Sequence, residues 1–250
     1  MKNNPNGLIV YTGPSQIDGS PIVVILTRKS KNSKTGDMVQ SWIIRADVDP
    51  VAASKSGDDA SICGQCPHRP LLARATGDAP CYVNLARAPL AIFNAYRRNR
   101  YARAQSIEQV RAFIAGAPLR LGAYGDPFAA PAPLWSQLVA LASGHTGYSH
   151  QWRNPGFNPA QWAPLVMASV DSQSDADIAR AMGLRTFRVS IGVEHMPGEI
   201  SCPASAEAGA RVQCAKCQLC AGTSKQAKHI VIADHAAGAQ RRVIQLKVTA

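Results

Sequence analysis

Acidic residues are scarce in this chain: 16 Asp and Glu stand against 27 Lys and Arg over 250 residues, a formal charge of +11. That imbalance, with a pI near 9.6, disfavours a basic partner and points toward a polyanion such as nucleic acid. Aromatic residues are also few, at 6%, while 19 Gly and 17 Pro punctuate the chain, so short, tight connections are expected. No uncharged apolar run reaches the ~18 residues of a spanning helix, which excludes a membrane partner of that kind. The opening MKNNPNGLIV lacks the apolar core and cleavage-like site of a secretory signal, so the expected location is cytoplasmic. Missing too are internal repeats, low-complexity tracts, a phosphate-binding P-loop, a G-x-S-x-G elbow and an H-E-x-x-H helix. These absences remove solenoids, P-loop nucleotide hydrolases, elbow-type hydrolases and helix-based zinc proteases.

What the chain does have is cysteine, seven in all, arranged in two groups. Cys202-Pro203 precedes a C-x2-C-x2-C triplet at Cys214, Cys217 and Cys220. Thiols three residues apart can wrap the corners of one inorganic cube, and a remote Cys-Pro can supply the fourth, as in ferredoxin-type iron–sulfur spacing. The competing readings are a four-cysteine zinc site, which more often shows two separated C-x2-C pairs, and ordinary buried thiols or disulfides. The earlier group is Cys63-x2-Cys66 followed by Cys81, with His68 beside it. His68 could complete a three-cysteine, one-histidine zinc site, or be a plain surface residue. Alternatively, three thiolates could hold a cluster with one iron left open to a cofactor or substrate.

Around these groups the pattern is α/β. Residues 1–48 read as a small antiparallel β meander packed on the main domain, and its polar loop carries Lys29, Lys31 and Lys34. Asp49 to Asp59 reads as a Ser/Ala/Gly-rich connector. A helix is expected through LARAPLAIFNAYRRNRYARA, its basic end interleaving Arg97, Arg98, Arg100 and Arg103 with Tyr96 and Tyr101. Those arginines and the loop lysines are the candidate nucleic-acid contacts, against the plainer reading of solvated surfaces. Ser106 with Gln109, and Ser174 with Asp177, are capping-box-like helix starts. From Leu119 six apolar runs alternate with helical or turn segments, so residues 49–250 are expected to form a parallel-stranded (β/α) partial barrel of about six strands.

In parallel folds the ligand site lies at the carboxyl ends of the strands. Those ends carry Asp126, His150, Asp171 and Arg188 as candidate catalytic residues. Tyr124, Asp234 and His235 are candidate cofactor contacts, and Cys202 is expected on the same rim. Each of the polar residues, taken singly, is also a natural cap or turn residue.

The set N-S-K-T-G (Asn32 to Gly36), C-G-x-C-P-H-R (Cys63 to Arg69), C-Y-V-N (Cys81 to Asn84), L-G-A-Y-G-D-P (Leu121 to Pro127), H-Q-W-R (His150 to Arg153), S-V-D-S (Ser169 to Ser172) and C-P-A-S before C-x2-C-x2-C resembles a family of uncharacterised phage- and plasmid-encoded cysteine-rich proteins. The resemblance spans roughly residues 30 to 236. More distantly, the chain is similar to radical S-adenosylmethionine-like phage proteins. That likeness implies a cluster on Cys63, Cys66 and Cys81, with S-adenosylmethionine on its free iron, and an auxiliary cluster on Cys202, Cys214, Cys217 and Cys220. The C-x2-C-x14-C spacing here departs from the C-x3-C-x2-C of radical enzymes. Three functions follow as expectations: an iron–sulfur enzyme of a mobile element, a zinc-stabilised nucleic-acid-binding protein without catalysis, or a redox-responsive adaptor.

Overall fold

Strand β2 (Pro21–Thr27, PIVVILT) is apolar almost throughout, and only its first residue is exposed. A strand with no polar face must be covered on both sides. It sits between β1 (Gly7–Pro14) and β3 (Val39–Arg45), antiparallel to both, in a computed structural model that describes residues 6–28, 32–72, 81–190 and 194–233. Strand β3 then pairs in parallel with β5 (Leu119–Tyr124), so the meander continues the main sheet instead of packing on it as a separate layer. Beyond β5 come β6 (His145–Ser149), β7 (Met167–Val170), β8 (Thr186–Ser190), β10 (His229–Ala233) and β9 (Glu199–Ser201), all parallel. A two-residue β4 (Ala102–Arg103) edges β1 on the far side.

The result is an open, mostly parallel sheet of ten strands with antiparallel strands near its start. The six expected runs all form strands, but their order is not a simple series: β10 inserts between β8 and β9. The sheet does not close into a barrel. No helix among the described residues is long and apolar enough to cross a membrane.

Alternation gives the parallel strands two faces. Leu119, Leu121, Ala168 and Val170 pack on one side with Trp135 and Leu138 of α5 (Ala132–Ala140), Trp162 of α6 (Pro159–Trp162) and Ala176 and Ala179 of α7 (Gln173–Ala181). The other side carries Tyr148, Phe187, Val189, Ile230 and Ile232 and meets Cys202 and Cys220.

Several helix boundaries differ from expectation. Asp49 to Asp59 is not a plain connector: α1 (Pro50–Ser56) starts there, its first two free N–H groups accepted by the Asp49 carboxylate and its end closed by Gly57 in the left-handed region. Helix α2 (Ala60–Cys63) follows and delivers the first cysteine. Helix α3 spans only Ala88–Arg97, because Asn99 at φ 52° breaks the turn before the expected end. Helix α4 (Ile107–Ile114) begins as expected on Ser106, whose hydroxyl accepts from the Gln109 N–H. Helix α7 is capped two residues early, by Ser172 accepting from Asp175 N–H, not by Ser174.

Candidate functional site

A cavity of about 910 Å³ runs along the second face of the parallel strands. Its walls are the alternate residues expected of pleated strands: Gln40 and Trp42 on β3, Arg120 and Tyr124 on β5, Thr146 and Tyr148 on β6, Phe187 and Val189 on β8. Strand β5 bulges here. Its register with β3 passes from Gln40 opposite Arg120 to Trp42 opposite Tyr124, giving β5 two extra residues. Gly122 takes the irregularity at φ 72°, its N–H bound to Ser41 Oγ, where a Cβ would meet the Gly125 carbonyl at 2.5 Å.

At the carboxyl ends of the strands the cavity meets Cys63, Cys66 and Cys81, together with His68 and His150. Burial first, then the neighbouring thiols Cys66 and Cys81, pushes the Cys63 thiol well above its ordinary value. Burial likewise raises Cys81 to about 11, against the bond it accepts from Val83 N–H. His150 projects from the end of β6 toward Cys66 and Asp171. Burial alone would lower its pKa, but the charge of Cys66 and hydrogen bonds to Asp171 and Cys66 raise it well above normal. Asp171, at the end of β7, is held well below the usual carboxylate range. Burial opposes that shift and the bonds from His150 and His68 outweigh it. His68 Nε2 lies 2.9 Å from Asp171 Oδ1, and the two imidazole centroids are 5.6 Å apart. His68 is thus paired with Asp171 and is neither a free surface residue nor simply a fourth member of the thiol set.

The later cysteine group lies at the opposite end. Cys214 N–H bonds the Lys34 carbonyl and Ala215 N–H the Thr35 carbonyl, so α8 (Cys214–Cys217) is tied to the β2–β3 loop. The Gly147 N–H bonds Cys220 O near the start of β6. Arg185, just before β8, donates to the carbonyls of Ala227, Leu219, Gly222 and Lys228 at 2.5 to 2.9 Å. These bonds floor the cavity at the amino ends of the strands. Cys202, expected on the rim, follows β9, but the three cysteines with which it shares a cavity lie at the floor.

Cys202, Cys214, Cys217 and Cys220 line one small cavity of about 40 Å³ with Lys34, Tyr148 and Phe187. Burial, with contributions from the other three thiols and opposed by Tyr148, pushes Cys220 up to about 12. Burial also raises Cys202 and Cys214, the latter against Arg120 and Lys34. All seven cysteines are free thiols. Among the described His, Cys, Asp and Glu residues, only His68, His150 and Asp171 bring three ligand atoms within 4.8 Å of one another.

The remaining candidates separate. Asp126 is buried and fully occupied, accepting from the Phe128 and His150 N–H groups and from Ser149 Oγ. It therefore fixes the backbone that carries His150. Arg188 faces away from the cavity, donating to Glu199 at 2.7 and 3.0 Å, so it leaves the rim set. Tyr124 lines the cavity, but its buried hydroxyl has no hydrogen-bond partner among the described residues. Burial and nearby Cys63 keep that phenol protonated.

Lys34 belongs to the cavity floor. Arg97, Arg98, Arg100 and Arg103 are exposed, yet Tyr101 is buried at 8% and packs at Gly7, so it cannot stack on a base. Lys29, Lys31, Asp234 and His235 lie outside the described residues. Arg120 and Arg185 were missed, although LRLGAYGD already puts a lone cation on one face of an alternating strand.

No family model, curated protein or solved structure matches the chain.

Proposed function

We propose that the chain is an iron–sulfur protein of a mobile element, an enzyme of the radical S-adenosylmethionine-like type on an incomplete barrel. One observation carries this reading: the seven thiols fall into a group of three at the mouth of the large cavity and a group of four around the small cavity at its floor, with Cys214 lining both. Four thiolates on one zinc at ~2.3 Å would stand only ~3.8 Å apart. No three thiols of either group come within 4.8 Å of one another, so neither group is drawn in to the spacing of a single zinc ion.

Residues Cys63, Cys66 and Cys81 would hold the open centre, and Cys202, Cys214, Cys217 and Cys220 the closed one. An open iron–sulfur centre held there would supply one-electron reduction to a bound S-adenosylmethionine. The chain's own part is positional. Asp126 holds the turn after β5 against β6, His150 is oriented toward Cys66 by Asp171, and the walls from Trp42 to Val189 keep the cavity narrow. Protein purified without air should be brown, with iron and sulfide in near-equal amounts. A colourless protein carrying zinc overturns the reading.

A second reading has one observation of its own. His68, His150 and Asp171 are close enough for one ion, and the Cys66 thiol lies beside His150. These four would make a mononuclear zinc site at the mouth, consistent with a non-catalytic, zinc-stabilised protein. Metal analysis of His68→Ala and Asp171→Asn separates the two, because only the zinc site loses its metal with these side chains.

A further inference from the structure

Charge inside the cavity is one-sided. Lys34 at the floor, Arg120 on the wall and Arg87 near the mouth all line it, while Asp126 is the one carboxylate among its described lining residues. Asp126 is already saturated by two backbone N–H groups and a serine hydroxyl. The Arg120 guanidinium has neither a carboxylate nor a hydrogen-bond acceptor among the described residues, although it is mostly enclosed. A partly enclosed cation with no internal partner is free to take an anion from outside in place of water.

The strand register orders what surrounds it. Gln40 lies opposite Arg120 toward the floor, and Trp42 lies opposite Tyr124 toward the mouth. The floor half therefore offers cations and an amide. The mouth half offers flat rings, Trp42 and Tyr82, and the unpartnered hydroxyl of Tyr124. Trp42 Nε1 is already bound to Thr27 Oγ1, 2.8 Å away, which fixes the indole as a wall. A volume of about 910 Å³ exceeds what one small ion needs and lies within the range of small-molecule sites.

We propose that this cavity binds an anionic small molecule bearing a flat ring, the chemical class of a nucleotide. Its oxyanion sits toward Arg120 and Lys34, and its ring toward Trp42 and Tyr124. The assignment extends the proposed function by naming a ligand class, and it stands on cavity geometry whichever metal the thiols hold. One rival explanation uses the same residues: Arg120 and Lys34 as countercharges for the four-thiol centre, since both oppose the raised pKa of Cys214.

Calorimetric titration of the full chain, metal content measured in parallel, decides between them. The probes are the four ribonucleoside 5′-monophosphates, the matching nucleosides and ribose 5-phosphate. At least one monophosphate should bind about tenfold or more tightly than its nucleoside and than ribose 5-phosphate. Arg120→Gln should erase the advantage over the nucleoside while leaving metal content and nucleoside binding unchanged. Arg120→Lys should restore part of it, and Lys34→Gln, in the loop, should reduce it without touching the sheet. The inference fails if no monophosphate binds up to roughly 5 mM, if nucleoside and nucleotide bind alike, or if Arg120→Gln sheds metal. Zinc in place of iron, with the Arg120-dependent preference intact, would remove the cluster reading and leave this one standing.

Discussion

The two cysteine groups differ in how they are enclosed. At the floor, four thiols share a cavity of about 40 Å³, and their loop is fastened by main-chain bonds to Lys34 and Thr35 and by Arg185 to four carbonyls. At the mouth, three thiols face a cavity of about 910 Å³, with ionisable side chains alongside. Structural metal sites are closed and reactive ones keep a position open. The difference teaches that one spacing motif, C-x2-C, can be closed in or left facing open space, depending on which end of the strands receives it.

The sharpest way to break the comparison is to remove each set in turn. Cys214→Ser with Cys217→Ser should abolish metal at the floor and cost more than about 3 kcal/mol of stability, read by denaturant unfolding beside metal analysis. Cys63→Ser with Cys66→Ser should remove the metal share of the mouth yet cost under about 1 kcal/mol. Equal destabilisation by both pairs would end the closed-versus-open distinction.

Arg185→Met should cost about 3 kcal/mol, because carbonyls that now share one guanidinium would lose it in a largely buried setting. It should also speed metal release to a chelator from the floor alone.

A smaller effect concerns β9, the strand before Cys202. Glu199 on it is buried and paired with Arg188. Burial alone would raise its carboxyl, but the Arg188 bonds outweigh that and leave its pKa below normal. A depressed pKa means the stabilisation is full above the unfolded value of about 4.3 and is lost as pH falls through the lower folded value. Unfolding followed between about pH 5 and pH 3 should therefore steepen in the native chain and flatten in Glu199→Gln.

Much of the framework was legible in the sequence. PIVVILT and the Ile230 to Ile232 core of β10 are continuous apolar runs, and their burial leaves them no other role. Ser106 with Gln109 marked a helix start to the residue. The four later cysteines were legible as one set because sequence spacing keeps three of them together. Other features depended on partners far along the chain. Asp49-Pro50 and Gly57 frame a helix by capping chemistry, but the Ser/Ala/Gly composition between them masked it. Arg188 read as a rim residue because strand ends attract function, whereas its side of the strand was decided by pairing with Glu199, eleven residues on. Which end of the sheet received Cys214 to Cys220 depended on contacts with Lys34 and Thr35, invisible to local pattern.

That last contact also sets an order of events during synthesis. Gln213 and the Ser33 carbonyl it bonds are separated by 180 positions. A nascent chain can pair β1 to β3 early, but its lower opening stays unsealed until the segment carrying Gln213 has emerged. Under the proposed reading, an inorganic centre on the four late thiols would be assembled only after that segment has emerged, and a chain truncated before it would carry an open-ended tunnel in place of a vessel.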